Sequence, residues 1–308
     1  MRKRCRRPSR GGHEEWRDWP NLPSELIDDI TGRLLRHDVA EYIRLRAACK
    51  EWRKCTADPR DGSCGLDARF RPRHWTMLSN GIYGAGDDDG GRRRFFNLTT
   101  LACVRVDLPE LSAHHIEASV EGLLLLRDAA SASHGARLLN PLTRAIVDLP
   151  PITPDLGAAY AAWAGPFSSP RRAVYAGISD ETSPPSVVLH MGSRTIDSVI
   201  AYAKPGDERW APMDLERCGA VRASPRCSSV LTRRGRVFFE TPAGNILAWA
   251  GASAGREPAL EAVPQREALP RRSRLLELIL RYNKHREKRG RPSLPPQPSL
   301  DRRHQRTN

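Results

Sequence analysis

Apolar and polar positions change their spacing along this chain, and each change marks a different kind of structure. Between Leu22 and Leu34 the apolar residues Leu26, Ile27, Ile30 and Leu34 recur at steps of one, three and four, which predicts a short helix with one apolar stripe. Pro23 suits the first helical turn, where its missing N–H is no loss, and Glu25, Asp28 and Asp29 place negative charge toward the helix start. Gly32 weakens the last turn. Asp38 then offers an N-cap for a second short helix from Val39 to about Leu45, with Val39, Tyr42 and Ile43 apolar. A third helix, about Ala47 to Thr56, turns Ala48, Cys49 and Trp52 inward and Lys50, Arg53 and Lys54 outward, and Pro59 and Gly62 end it. Three helices in so short a stretch bury too small a share of their surface to be comfortable alone. Their apolar face must therefore meet either the downstream chain or another protein.

From Arg69 onward the helical spacing gives way to short runs of β-formers separated by turn clusters. The runs are "HWTML", "RRFFNL", "ACVRVDL", "EGLLLLR", "ARLLN", "RAIVDL", "RAVYAGI", "SVVLHM", "DSVIAYA", "RVFFE" and "NILAW". Many short strands with regular turn signals suggest a meander, sandwich or propeller. A repeat narrows the choice. "RFFNLTTLACVRVDLP" lies over "RLLNPLTRAIVDLP", with Asn140 43 positions after Asn97 and Leu149-Pro150 41 positions after Leu108-Pro109. A period of 40–50 residues with strand–turn–strand content is that of a propeller blade. Each Asn stands where a turn begins, so its side chain is expected to cap that turn's backbone. With "IAYAKPGDERWAPMDL" and "RGRVFFETPAGNILAW", about four blade-like units fall between residues 69 and 250.

The organisation that follows is α+β and multidomain. It comprises a basic arm (1–15), a three-helix module (16–58), a linker (59–73), an all-β propeller-like domain (74–250) and a basic, Pro-rich, mostly disordered tail (251–308). The β pattern fades after "GNILAW", so either four small blades close, or the propeller is incomplete, or the sequence departs from the propeller pattern near residues 245–255. Within the tail, "RRSRLLELILRYNKHREKRG" carries Leu275, Leu276, Ile279, Leu280 and Tyr282 on one side of a basic helix between Pro270 and Gly290.

Charge sharpens this division. The chain of 308 residues carries a net +14. Residues 1–12 hold six Lys/Arg and no acids, and residues 265–308 hold thirteen Lys/Arg against four acids, which leaves the body between them at −1. The ends are basic and the body is neutral. "RKRCRR" also suits a nuclear address, so the nucleus and the cytoplasm are both expected locations. No apolar run approaches the roughly 18 residues of a membrane span. The seven cysteines are scattered without a Cys-x-x-Cys pair, so reduced thiols are expected rather than a zinc site or a redox motif.

Candidate chemistry is sparse. His114-His115 lacks an acid at metal spacing, and "DDDGG" at 87–91 lacks the alternating ligands and closing Glu of a calcium loop. There is no Walker loop, no nucleophile elbow and no dinucleotide fingerprint. Trp163, Tyr175 and Trp210 belong either to a recognition face or to the core. No cofactor, no metal and no catalytic residue is expected.

Two resemblances add to this. "WPNLPSELIDDITGRLLRHDVAEYIRLRAACKEWR" resembles the F-box through Leu22, Pro23, Glu25, Leu26, Ile30, Leu34, Asp38, Cys49, Lys50, Trp52 and Arg53. The resemblance implies an adaptor-binding face of Leu22, Pro23, Leu26, Ile27 and Ile30, and a module core of Leu34, Val39, Cys49 and Trp52. It also implies docking on an Skp-type adaptor and, through it, on a cullin and a RING protein. "PRHWTMLS", "RRRFFNLTTLACVRVDLPEL", "EGLLLLRD", "RLLNPLTRAIVDLPP" and "AYAKPGDERW" are similar to plant F-box proteins carrying a KIB-type β-propeller, whose propeller is taken to recruit the protein substrate. Together they imply a non-enzymatic, substrate-recruiting subunit of a ubiquitin ligase of the Skp–cullin–F-box type, with the substrate unknown. The alternative is a nucleic-acid-associated or nuclear scaffold protein that uses its basic ends.

Overall fold

The computed structural model describes residues 18–61, 65–78, 91–129, 135–157, 160, 172–193, 199–213, 229–240, 246–251 and 258–263. The basic arm, the Asp-rich segment 87–90, Trp163 and the expected C-terminal helix lie outside them.

After a short 3-10 turn at Trp19–Asn21 come three helices, α1 (Ser24–His37), α2 (Val39–Ala48) and α3 (Lys50–Cys55). Asp38 caps α2 as expected, with its carboxylate accepting from the Ala40 N–H at 2.9 Å. The first helix corrects the expected stripe. Ile27 is 2% exposed and belongs inside, whereas Leu26 at 52% and Ile30 at 39% stand open. Neighbouring positions on a helix point about 100° apart, so a stripe that includes Leu26 and Ile27 has to divide between inside and outside. Ala48, expected inward, is exposed at the end of α2. The buried residues of α2 are Val39, Tyr42 and a side chain that sequence reasoning passed over, Arg46. The Arg46 guanidinium donates to the carbonyls of Arg53, at 3.1 Å, and Ala57, at 2.9 Å, and so satisfies acceptors that α3 leaves open at its end.

The rest is β. Fifteen strands form four antiparallel meanders among the described residues. The first sheet is β1 (Trp75–Met77), β2 (Arg92–Asn97) and β3 (Cys103–Asp107). The second is β4 (His114–Val120), β5 (Leu123–Asp128), β6 (Ala136–Leu139) and β7 (Ile146–Leu149). The third is β8 (Arg172–Ser179), β9 (Ser186–Ser193), β10 (Val199–Ala203) and β11 (Ala211–Pro212). The fourth is β12 (Ser229–Arg233), β13 (Arg236–Glu240), β14 (Ile246–Ala250) and β15 (Ala259–Ala262).

Packing explains the run "LLLL" in β5. Leu123 and Leu125 join Leu138, Ile178, Val187, Leu189, Met191 and Trp210 between the second and third sheets. Leu124 and Leu126 face the other way, against Trp75, Phe95 and Leu108 of the first sheet region. A strand buried on both faces cannot alternate apolar with polar. The same division recurs in β9, where Val188 turns toward Val237, Phe239 and Trp249 of the fourth sheet. Sheets packed in chain order, the second and third with both faces covered, give the propeller-like domain its core. Trp210 is therefore core, 2% exposed, with its Nε1–H donating to the Pro150 carbonyl at 2.7 Å, and Tyr175 is half-buried.

Two differences from the expected layout have physical reasons. The strands β4 and β12 were missed because "HHIEASV" and "SVLTR" are polar or short, yet each opens its sheet. The strand β15 falls inside the stretch expected to be tail. "ALEA" has weak β propensity, but its Leu260, 4% exposed, pairs opposite Trp249 and completes the fourth sheet.

Candidate docking surface

The module displays part of the apolar face that its sequence promised. Of the six exposed large hydrophobic residues among the described ones, three are Trp19, Leu26 and Ile30. Pro23 is exposed beside them and Leu22 is half-buried. Ile27 is absent from this face because it packs inward. Of the expected module core, Val39 is buried at 3%, whereas Leu34, Cys49 and Trp52 are only partly buried. Trp52 works instead as a tie: its Nε1–H donates to the Trp19 carbonyl at 3.0 Å and holds the 3-10 turn against α3.

The helices are joined to the β domain by more than a tether. Asp38 is 7% exposed, and besides capping α2 it accepts from Trp75 Nε1 at 2.8 Å and from Asn97 Nδ2 at 2.9 Å. Asn97 also does what the repeat foretold: its Oδ1 accepts the N–H groups of Thr99 and Thr100. Asn140 repeats the arrangement, accepting from Leu142 and Thr143 and donating to the Phe70 carbonyl at 2.8 Å. The two asparagines thus cap their own turns and reach outward to the N-terminal half. Both turns place the fourth residue after the Asn in left-handed backbone, Leu101 at φ 61° and Arg144 at φ 66°.

Residues 59–73 were expected to be a linker. Instead Leu66, Phe70, Arg71 and Pro72 are buried. At the start of this packed stretch, burial pushes the Asp67 carboxyl up. Hydrogen bonds from the Arg69 side chain and backbone, with the charges of Arg69 and Arg71, outweigh that and hold it below its ordinary value. The Arg71 side chain is 1% exposed and ion-paired with Glu121 at 2.6 Å and Asp180 at 2.5 Å. Its Nε and Nη2 also donate to the Leu66 carbonyl, at 3.1 and 2.6 Å. Glu121 sits in the β4–β5 turn and Asp180 follows β8, so one guanidinium spans the corresponding turns of two sheets.

A cleft of about 720 Å³ lies at this joint, lined among others by Arg36, Asp38, Tyr42, Arg69, Arg71 and Arg73. Its arginines are largely committed: Arg69 to Asp67, Arg71 to Glu121 and Asp180, and Arg73 to Glu121 at 3.1 Å. His114 accepts no metal-like company. Its ring nitrogens meet the Glu110 carbonyl and the Asp128 carboxylate, at 2.7 and 2.9 Å. Among the described residues no three His, Cys, Asp or Glu side chains gather as metal ligands, and no helix is long and apolar enough to cross a membrane.

The site that stands out is therefore a small apolar face on a helical module braced against a β domain. No curated protein matches the chain. A family model, the KIB1-4 beta-propeller, matches residues 95–291, which is 197 of the 308 residues and runs beyond the expected propeller end at 250. With its sheets packed in chain order and the asparagine turns repeated in the first two, the chain belongs to the KIB1-4 beta-propeller family.

Proposed function

We propose that this chain is an F-box protein: the non-catalytic, substrate-recruiting subunit of a ubiquitin ligase, with its helices docking on an Skp-type adaptor and its propeller holding a protein target. The adaptor brings the cullin and RING protein. The observation that carries the proposal is the open face of Leu26 and Ile30 on a module that meets the rest of the chain through other residues, Val39 and Tyr42 packing with Phe70 and Leu142. That face is not needed to attach the helices to the sheets, which leaves it free for a second protein. The KIB-type propeller supports the other half, because a protein target needs a rigid scaffold that presents loops.

The test is co-purification and calorimetric titration with a purified Skp-type adaptor. A dry apolar interface should hold at 0.5 M salt. No association at micromolar concentrations of both proteins would defeat the proposal. A second reading rests on the basic ends, which carry more than the whole net charge of +14. On that reading the chain binds nucleic acid through its ends, and the binding should collapse as salt rises.

A further inference from the structure

We propose that the segment Leu66–Trp75 is a clamp that makes the three helices and the blades one rigid, cooperatively folding body. The helical module is then not a mobile tag on a string, and a partner seated on α1 is held at a fixed position relative to the sheets. This stands whether or not that partner is an Skp-type adaptor.

Three observations converge on the clamp. The first is the Arg71 fork, whose guanidinium grips the Leu66 carbonyl, Glu121 and Asp180 at once while almost wholly buried. A buried guanidinium whose acids lie on two different sheets cannot let go of one without stranding charge. The second is Gly122, in the left-handed region at φ 83°. A Cβ there would stand 2.0 Å from the Pro72 carbonyl oxygen, so the turn of the second sheet is shaped to admit the linker backbone at a distance no other residue type allows. The third is the row of ties on either side. Asp38 binds Trp75 and Asn97, Asn140 binds the Phe70 carbonyl, the Arg60 Nε–H binds the Thr143 carbonyl at 2.9 Å, and the Tyr42 hydroxyl binds the Ala57 carbonyl at 2.7 Å. Tyr42 of α2 and Phe70 of the linker share one small core with Val39, their rings 5.5 Å apart. The seam continues across the sheets, because the Asp180 N–H donates to the Gly235 carbonyl at 2.7 Å and links the third sheet to the fourth.

Hydrogen exchange on the full chain tests this. Independent modules open separately, so a weakly held helix exchanges by local opening, fast and with little response to denaturant. A clamped module opens only with the whole. In the unaltered chain, α2 and the strands β5 and β9 should therefore exchange at rates within about tenfold of one another as denaturant approaches the unfolding transition. Arg71→Met should release α1–α3 and residues 65–75, speeding their exchange at least a hundredfold while β9 and β13 change far less. Three results overturn it: α2 exchanging a hundredfold faster than β5 in the unaltered chain, Arg71→Met losing helices and blades together in a single transition, which would show a cooperativity that does not depend on the clamp, or Arg71→Met and Gly122→Ala both leaving the protection of α2 unchanged. Adaptor binding is not used in the measurement, so its outcome is separate from that of the ligase proposal.

Discussion

Replacing Leu26 and Ile30 together by Ala tests the docking face against its neighbour Ile27. Leu26 has 52% of its surface open and Ile30 has 39%. Burying a whole Leu or Ile is worth about 1.5–3 kcal/mol, so the part still open on each is worth about half that or somewhat less on docking. The pair then contributes roughly 1.4–2.7 kcal/mol, and at 1.4 kcal/mol per factor of ten the double variant should bind an Skp-type adaptor about ten to a hundred times more weakly. The Asp versions should do worse, because each carboxylate would be desolvated without a partner. Thermal stability should scarcely move, since open side chains make few contacts and such changes usually fall within about 0.5 kcal/mol. Ile27→Ala should do the reverse. Ile27 is 2% exposed, and truncating a core Ile costs about 2–5 kcal/mol of stability, yet the fraction that remains folded should bind as before. Calorimetric titration beside a thermal melt reads both quantities. The reasoning is refuted if the double Ala variant binds within twofold of the original, or if Ile27→Ala loses affinity while keeping its stability.

Three further outcomes follow from the sheets. A chain ending at Gly251 should be less stable than one ending at Val263 by about 2 kcal/mol or more in denaturant melts, because it loses buried Leu260 and bares the β14 edge; equal stability would remove β15 from the fold. Leu101→Gly should raise the melting temperature, since it relieves a left-handed residue that costs about 1 kcal/mol and removes an apolar side chain 62% exposed, whereas Arg144→Gly, at a similar φ, should not, because it also gives up the Glu110 ion pair. Asn97→Ala and Asn140→Ala should each cost about 2–4 kcal/mol by stranding two turn N–H groups and an outward partner; losses under about 0.5 kcal/mol at both sites would show the turns to be self-sufficient.

Much of the β domain was legible because its code is local. A strand buried on both faces must be apolar throughout, and "GLLLLR" and "SVVLHM" say so without help from the rest of the chain. The asparagine turns were legible for the same reason: an Asx side chain bonds its own backbone two and three residues on, so the signal and its partner lie in one short window. What hid β4 is that its function is positional. As the first strand of its sheet it carries His115, Glu117 and Ser119 among its residues, and these satisfy no apolar template. Glu117 has a buried ion pair with Arg127 at 2.6 Å, and nothing in the sequence around either residue announces the other.

In α1 Ile27 is read as outward and lies inward; in the linker Arg71 draws no reading and is buried. In neither place does residue type fix environment. On a helix only about 100° separates Ile27 from Leu26, and which of them meets solvent depends on where the other helices stand. In "DARFRPR" a lone Phe among arginines resembles a solvated turn. A guanidinium can nevertheless be buried at little net cost when acids wait for it, and Glu121 and Asp180 lie 50 and 109 positions away. Arg71 is thus as much a core residue as Leu66, held by charge where Leu66 is held by packing. That makes the joint selective as well as firm. Lys at position 71 would keep the charge but lose the planar fork that serves a carbonyl and two carboxylates together. The fixed relation between helices and blades therefore depends on an arginine rather than on a cation in general.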